Sequence, residues 1–289
     1  MPKEKVVVVG LGEVGHTLLE LLKESNKFTV YGFDVNEKIM ESLVGKMKLP
    51  ETVDVMHICY PCVDQRAFIQ TSLGYVRKFK PKLTIIDSTV SPLTTRKIYK
   101  STKSPVVHSP IRGMHTTHES MKKDVKFWRK YIGGMTEEAV NAATEHFEKL
   151  GLKVKVLKGP EETELAKLFD TIYRAWMIAC SQEMHRISRY YKADYSDIME
   201  VISDGHRIYA DRPPHYPAFI GGHCLIPNTE LLLKSHNSDF LRLTLKSNRK
   251  RKREMRDKRV TAETEKAKQI TGAVQNEMKR LLEQARSEK

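Results

Sequence analysis

The stretch that decides the fold is residues 5–36, KVVVVGLGEVGHTLLELLKESNKFTVYGFDVN. Its four consecutive valines are typical of a parallel strand that is buried on both faces. The strand pattern ends in Gly10-x-Gly12-x-x-Gly15, a helical apolar pattern follows, and a second strand pattern ends in Asp34. Spaced glycines between a strand and a helix, with an acid at the end of the next strand, predict a dinucleotide-binding unit.

The residue types in this loop indicate which dinucleotide it binds. Glycines allow a tight turn and let a pyrophosphate approach the N-terminus of the helix, where free N–H groups favour negative charge. We therefore assign Gly10, Gly12, Glu13, Val14 and Gly15 to the cofactor loop. The carboxylate that ends the second strand can accept hydrogen bonds from ribose hydroxyls and would repel a 2′-phosphate. The predicted cofactor is NAD rather than NADP.

Further strand patterns continue to about residue 158. They are DVMHICYPC (54–62), LTIIDSTVS (83–91), SPVVHSP (104–110), KFWRKYIGG (126–134) and GLKVKVL (151–157). Strands that alternate with helices predict a doubly wound parallel Rossmann sheet of α/β class. Ligands bind at the carboxyl ends of such strands, so Tyr60, Pro61, Ser88 and Thr89 are expected to line the cofactor cleft.

The second half of the chain has a helical pattern. Residues 161–192 form one long amphipathic repeat, and a shorter helix is predicted to end at Gly205. We divide the chain into an NAD-binding domain (1–158), an all-helical domain (159–240) and a basic helical tail (241–289). Within the tail, residues 246–259 hold nine Lys or Arg against two Asp or Glu, which is half of the net charge of +14.

Composition excludes several classes of protein. The 289 residues contain no apolar run long enough for a membrane span and no signal-peptide pattern at the start. Four scattered cysteines do not make a disulfide framework, so a cytoplasmic protein is expected. His108, His115 and His118 are interpreted as part of a polar loop, and no metal site is predicted.

Several motifs in order resemble the UDP-glucose/GDP-mannose dehydrogenase family, over residues 5–235. They are the glycine loop, DVMHICYPC, DSTVSPLTT, SPIRG, YIGG, ETELAKLFDTIYRAWMIACSQE and GGHCLIPN. The last of these resembles the UDP-N-acetylmannosamine dehydrogenase branch. The resemblance implies NAD-dependent oxidation of a nucleotide-sugar primary alcohol toward the carboxylate, with a role in polysaccharide biosynthesis.

The resemblance also implies roles for individual residues. Cys224 matches the nucleophile, which forms a thiohemiacetal and then a thioester, and Lys167 matches the catalytic lysine. Thr171 and Asn228 stand at two further catalytic positions. The residues implied to contact substrate are Arg207, Gly221, Gly222 and His223.

The chain departs from the family at several of these positions. Ile111 stands where the family has a glutamate that is linked to thioester hydrolysis. Thr171 replaces an asparagine, and Asn228 replaces an aspartate. The family's C-terminal nucleotide-sugar-binding domain is expected to be absent, because the residues after the cysteine motif show no strand pattern.

Two other functions remain open at this level. One is single hydride transfer by a protein like the β-hydroxyacid dehydrogenases, acting on a small hydroxy acid without the cysteine. The other is NAD binding without turnover. The residue 161–192 helix predicts a homodimer. Nucleic acid is not the expected partner, although residues 246–259 keep it among the alternatives.

Overall fold

The computed structural model describes residues 3–45, 48–112, 118–209 and 215–287. It divides into two compact units, Met1–Phe169 and Asp170–Lys289. Each unit has its own buried side chains and is described by itself.

The first unit is an α/β sandwich whose elements follow the predicted order. Its strands are β1 (Glu4–Val9), β2 (Phe28–Phe33), β3 (Val55–Ile58), β4 (Leu83–Ile86), β5 (Val106–His108), β6 (Lys130–Gly134) and β7 (Val154–Val156). Its helices are α1 (Glu13–Glu24), α2 (Glu37–Leu43), α3 (Gln65–Phe79), α4 (Thr94–Thr102), α5 (His118–Phe127) and α6 (Glu137–Lys149). This arrangement confirms the predicted α/β class.

The sheet has the strand order β2-β1-β3-β4-β5-β6-β7. The chain leaves β1 toward β2 and then returns to the other side of β1 as β3, so the strand order reverses between β1 and β3. That reversal is the point where open α/β sheets bind ligands, and the glycine loop lies there. The three central valines of β1 are fully buried, because helices cover both faces of the strand.

One strand direction differs from the prediction of a parallel sheet. Strands β1 to β5 are parallel, but β6 pairs antiparallel to β5, with Val107 opposite Gly134 and His108 opposite Gly133. A strand buried on both faces has the same apolar pattern in either direction, so its orientation is not encoded in that pattern. Glycine suits this pairing, since a Cβ on Gly134 would lie 3.0 Å from the Val107 side chain of β5. A Cβ on Gly133 would instead lie 2.2 Å from the carbonyl oxygen of Gly159, just before the long helix that follows the sheet.

Side-chain caps explain where several helices begin. Asn36, Asp64 and Thr136 each stand just before a helix, and each accepts a hydrogen bond from a backbone N–H of its first turn. Such caps satisfy donors that have no partner inside the helix and contribute about 1 kcal/mol each.

The second unit is helical. Helix α7 (Pro160–Tyr190) begins in the first unit and continues into the second, which also holds α8 (Tyr195–Tyr209), α9 (Leu225–Ser235), α10 (Asp239–Glu254) and α11 (Lys258–Ser287). A small core joins α8 and α11 through Tyr195, Met199 and Ala267. Gly205 lies inside α8, so its prediction as a helix end is wrong. The helix continues for four residues beyond Gly205, to Tyr209.

The basic run lies on α10 and the start of α11, which both pack into the second unit. Leu241, Leu245 and Val260 are buried there, and so is Arg251, whose guanidinium donates to the backbone carbonyl of Gln182. The helices predicted as a tail are thus part of a folded body. Val274 on α11 is also fully buried.

Candidate functional site

The three loop glycines are required for different physical reasons. Gly10 has φ +88°, and a Cβ there would lie 2.6 Å from the backbone nitrogen of Tyr60. A Cβ on Gly15 would lie 1.8 Å from the carbonyl oxygen of Gly10, so α1 could not approach the loop with any side chain at this position. These two glycines are therefore needed for the fold itself.

Gly12 is different, and its difference points to a ligand. It has a φ of −65°, which any residue adopts, and a Cβ placed on it would meet no atom within 4 Å. Neither backbone strain nor packing explains glycine here. The open space lies at the N-terminus of α1, where backbone N–H groups favour an anion. The loop therefore fits the close approach of a pyrophosphate.

Asp34 stands next to this loop, at the end of β2. One carboxylate oxygen accepts the N–H of Leu11 at 2.6 Å, and the other accepts the N–H of Asn36 at 2.8 Å. These bonds hold the carboxylate between the glycine loop and the turn after β2. The neighbouring loop residues Glu13 and Val14 begin α1, with Glu13 exposed and Val14 half-buried.

The predicted cleft residues after β3 and β4 play different parts. Tyr60 is held by a 2.7 Å hydrogen bond between its hydroxyl and that of Ser72, and burial raises the pKa of the Tyr60 phenol. Ser88 is buried and donates to the carbonyl oxygen of Tyr60 at 2.7 Å, so it ties the two strand ends together. Pro61 is exposed and Thr89 is half-buried.

Lys167 lies half-buried on α7, within the first unit. One turn earlier, Glu164 is fully buried, and its carboxylate accepts the N–H groups of Leu93 and Thr95 at 2.7 and 2.8 Å. Burial raises the pKa of Glu164 to about 7. Glu164 thereby fixes the start of α7 against the beginning of α4 and sets the position of Lys167.

Sequence reasoning missed Glu164. The signal was faint, because it is one of three glutamates among residues 161–164. His108 lies beside the same region, 2.8 Å from the Thr163 hydroxyl and 3.0 Å from the Ser88 carbonyl oxygen. Burial lowers the pKa of His108 to about 4, and the charge of Lys167 acts in the same direction.

The cysteine motif forms a turn that leads into α9. Gly222 has φ +77°, a conformation that favours glycine, whereas a Cβ on Gly221 would make ordinary contact with the Phe219 ring at 3.7 Å. His223 is exposed, and Cys224 is half-buried at the N-cap position of α9. The thiol thus stands at the start of a helix, an environment that stabilises thiolates in general.

Two of the predicted catalytic residues bond to each other. The side-chain amide of Asn228 donates to the hydroxyl of Thr171 at 3.0 Å, which links the first turn of α9 to α7. The N–H of Asn228 also donates to the carbonyl oxygen of Cys224 at 3.0 Å. The structure therefore brings Thr171, Asn228 and Cys224 together.

The remaining predicted positions are placed as follows. Arg207 is exposed on α8 and pairs with Asp204 at 2.6 Å and Glu277 at 2.9 Å. Ile111 is buried in the apolar core of the first unit, so no carboxylate stands at that position. His108 ends β5 and is fully buried, and His118 begins α5, so the prediction that these two histidines belong to a polar loop is wrong. His115 and the side chain of His118 lie outside the described residues.

Two general features follow from the described part of the chain. Its His, Cys, Asp and Glu side chains form no group that could hold a metal ion. Across the same residues, no helix combines the length and apolar character needed to cross a bilayer. The four cysteines are free thiols.

The first unit is thus a Rossmann-type α/β fold with an open glycine loop at its switch point, and the second is a helical unit that presents a cysteine turn. The central-domain model of the UDP-glucose/GDP-mannose dehydrogenase family matches residues 161–250. UDP-N-acetyl-D-mannosamine dehydrogenase of Methanocaldococcus jannaschii is 27% identical, with 83% of this chain and 64% of the relative covered. Together these matches confirm the predicted resemblance to the nucleotide-sugar dehydrogenases.

Solved structures share the fold. A UDP-D-ManNAc dehydrogenase from Pyrococcus horikoshii superposes with a TM-score of 0.70 at 20% identity, covering 85% of this chain and 68% of that one. A 3-hydroxyisobutyrate dehydrogenase from Mycobacterium tuberculosis superposes with a TM-score of 0.64 at 15% identity, covering 89% and 95%. The chain spans about two thirds of the length of the nucleotide-sugar dehydrogenases it matches.

Proposed function

We propose that this protein is an NAD-dependent dehydrogenase that oxidises the primary alcohol of a nucleotide sugar toward the carboxylate. The observation that carries the proposal is the open space at Gly12, which packing and backbone conformation leave unexplained and a dinucleotide pyrophosphate explains. The relatives named as UDP-N-acetyl-D-mannosamine dehydrogenases supply the substrate class. Free thiols fit a reducing cytoplasm.

The residues that would hold NAD are those of the glycine loop and Asp34. The N–H groups at the start of α1 would face the pyrophosphate, and the Asp34 carboxylate would accept the adenosine ribose hydroxyls. When bound, NAD supplies the hydride acceptor. A carboxylate at this position disfavours the 2′-phosphate of NADP, because the two negative charges would repel each other.

Cys224 supplies the covalent step that a second oxidation needs. Its thiolate attacks the aldehyde carbon, and the C–S bond makes a thiohemiacetal, whose oxidation leaves a thioester. Water then attacks the thioester carbonyl, the C–S bond breaks, and the carboxylate and the thiol are released. Overall, one alcohol and one water give one carboxylate while two NAD are reduced.

Lys167, Thr171 and Asn228 would support this chemistry. By the family resemblance, the ammonium of Lys167 stabilises the oxyanion of the tetrahedral adducts. The Thr171–Asn228 bond holds the first turn of α9, on which Cys224 stands. Ile111 provides no base for the attacking water, so thioester hydrolysis should be the slow step.

The test is the yield of NADH from a panel of UDP- and GDP-sugars, with Cys224→Ala compared with wild type. Cys180→Ala is the matched control, because Cys180 is an exposed cysteine on α7. We expect two NADH per sugar in wild type and in the control, and no carboxylate product from Cys224→Ala. Mass spectrometry of wild type should show an acyl adduct on the peptide that contains Cys224. Failure to turn over any sugar, with NAD still bound, would contradict the proposal.

A second function is favoured by one observation. The 3-hydroxyisobutyrate dehydrogenase structure is covered over 95% of its length, whereas the nucleotide-sugar dehydrogenases extend beyond the match. In that case the protein would transfer one hydride from a small hydroxy acid and would not use Cys224. One NADH per 3-hydroxy acid, unchanged by Cys224→Ala, would identify this function.

We also propose a homodimer through α7. This helix carries exposed apolar side chains at helical spacing, among them Tyr173, Met184, Ile187 and Tyr190. A stripe of this kind on a long helix is suited to burial against a second copy.

A further inference from the structure

The backbone just before the cysteine turn is held by a single side chain from α10. Ile220 is buried, and its N–H donates to Oδ1 of Asn248 at 2.8 Å. Its carbonyl oxygen accepts from Nδ2 of the same amide at 3.0 Å. Asn248 therefore satisfies both polar groups of one residue's backbone, in the manner of a strand partner.

A second amide holds the chain two residues earlier. Nε2 of Gln182, which is fully buried on α7, donates to the carbonyl oxygen of Ala218 at 2.7 Å. Its Oε1 accepts the hydroxyl of Ser247 at 2.7 Å, so the orientation of the amide is set from both ends. Residues 218–220 are thus anchored to α7 and to α10.

The cysteine turn needs such an anchor. Between Ile220 and Cys224 the chain consists of Gly221, Gly222 and His223, and all three are exposed. Glycines have the largest backbone freedom, so this segment does not by itself fix the position of the thiol. Its position is defined by the two ends of the turn, the anchored Ile220 and the first turn of α9.

We propose that Asn248, assisted by Gln182, is a positioning residue for Cys224. For its effect on turnover this inference rests on the proposed function, since only a reacting thiol needs a precise position. The two hydrogen bonds also matter energetically, because a buried backbone group left without a partner loses its hydration with nothing to replace it. Asn248 lies within the basic run of residues 246–259, so part of that run serves the cysteine turn.

The experiment compares Asn248→Ala with wild type and with a matched control, Thr244→Val. Thr244 is buried one turn earlier on α10, and its hydroxyl donates to the Phe240 carbonyl oxygen of its own helix. We expect Asn248→Ala to lower kcat about tenfold or more while KM changes little, since a nucleophile misplaced by 1 Å can cost about a hundredfold. Thr244→Val should leave both constants unchanged.

Hydrogen exchange shows whether the anchor exists without reference to activity. We expect the peptide covering residues 218–224 to exchange faster in Asn248→Ala than in wild type and in Thr244→Val. Gln182→Met serves as a second variant if Asn248→Ala does not fold, and it should give the same local change. Equal exchange of this peptide in wild type, Asn248→Ala and Gln182→Met would overturn the inference. It would also be overturned if Thr244→Val lost as much kcat as Asn248→Ala.

If wild type turns over no sugar, the proposed function fails, and thiol chemistry still decides the positioning role. The readout is then the pH profile for alkylation of Cys224 by iodoacetamide, with exposed Cys180 as the internal standard. We expect Asn248→Ala to move the Cys224 profile toward that of an unconstrained thiol, with a midpoint at about 8.5. An unchanged profile would overturn the inference.

Discussion

At the scale of single residues, the glycine loop separates what the fold requires from what a ligand requires. Gly15 has no room for a Cβ, since one would overlap the Gly10 carbonyl. Gly12 has room and an ordinary φ. Glycine is therefore required at Gly15 by packing and at Gly12 by space for a ligand, and substitution can distinguish these two requirements.

We predict that Gly12→Ala folds with wild-type thermal stability and binds NAD at least about tenfold more weakly, a loss of about 1.4 kcal/mol. The added methyl group would occupy the space into which a pyrophosphate fits. Gly15→Ala should instead lower the melting temperature. Gly74→Ala is the control, because a Cβ on Gly74 in α3 would also meet no atom within 4 Å. Calorimetric titration with NAD measures the affinity, and equal affinity for Gly12→Ala and Gly74→Ala would refute the ligand interpretation.

Residue patterns predict which candidate site residues lie close together where the contacts are local. The glycine loop and Asp34 lie together as expected, because a strand, a turn and a helix bring them together within one βαβ unit. Thr171 and Asn228 are separate departures in the sequence, 57 residues apart, yet they share a hydrogen bond. Asn248 and Glu164 were missed, because their contacts depend on tertiary packing that no short motif records.

At the scale of elements, apolar runs predicted every strand of the first unit but not the direction of β6. The alternation of strands and helices follows from periodicity, which is a property of the sequence. Strand orientation depends on tertiary pairing with a neighbouring strand, and here Gly134 leaves room for the Val107 side chain of β5. The sequence of α10 and α11 indicates a tail rather than a packed pair of helices, because the few positions that become buried are separated by many basic residues.

Helix α7 carries the prediction of a dimer. Tyr173, Met184 and Ile187 are 57%, 39% and 52% exposed, although residues of these types are usually buried. We predict a dimer by light scattering at micromolar concentration and a monomer for Ile187→Glu, because a buried unpaired carboxylate opposes association. Val201→Glu, at an exposed apolar position on α8, should remain dimeric. A monomeric wild type would exclude this interface.

At the scale of the whole molecule, each unit is stabilised by its own core, and the first unit contains unusual buried polar groups. His57 lies 2.7 Å from the Asp87 carboxylate and 2.9 Å from His146, and Lys130 reaches the other Asp87 oxygen at 3.1 Å. Glu4 stands 3.9 Å beyond His146, toward the surface. Charged and ionisable groups inside a core make its stability depend on pH.

Acid should therefore weaken the first unit. Burial lowers the pKa of both His108 and His146 to about 4, against an ordinary value of 6.5. The unfolded chain takes up these protons near pH 6.5 and the folded unit only near pH 4, so the stabilisation is complete above pH 6.5 and is lost as the pH falls toward 4. Each histidine accounts for about 3 kcal/mol of this loss.

Urea unfolding at several pH values tests this dependence. The free energy of unfolding should fall less steeply toward acid pH for His146→Gln than for wild type. The control His16→Gln, at a half-exposed position on α1, should keep the wild-type slope. Parallel slopes for wild type and His146→Gln would mean that His146 takes up its proton at the same pH in the folded and the unfolded chain, which would contradict a pKa lowered by burial.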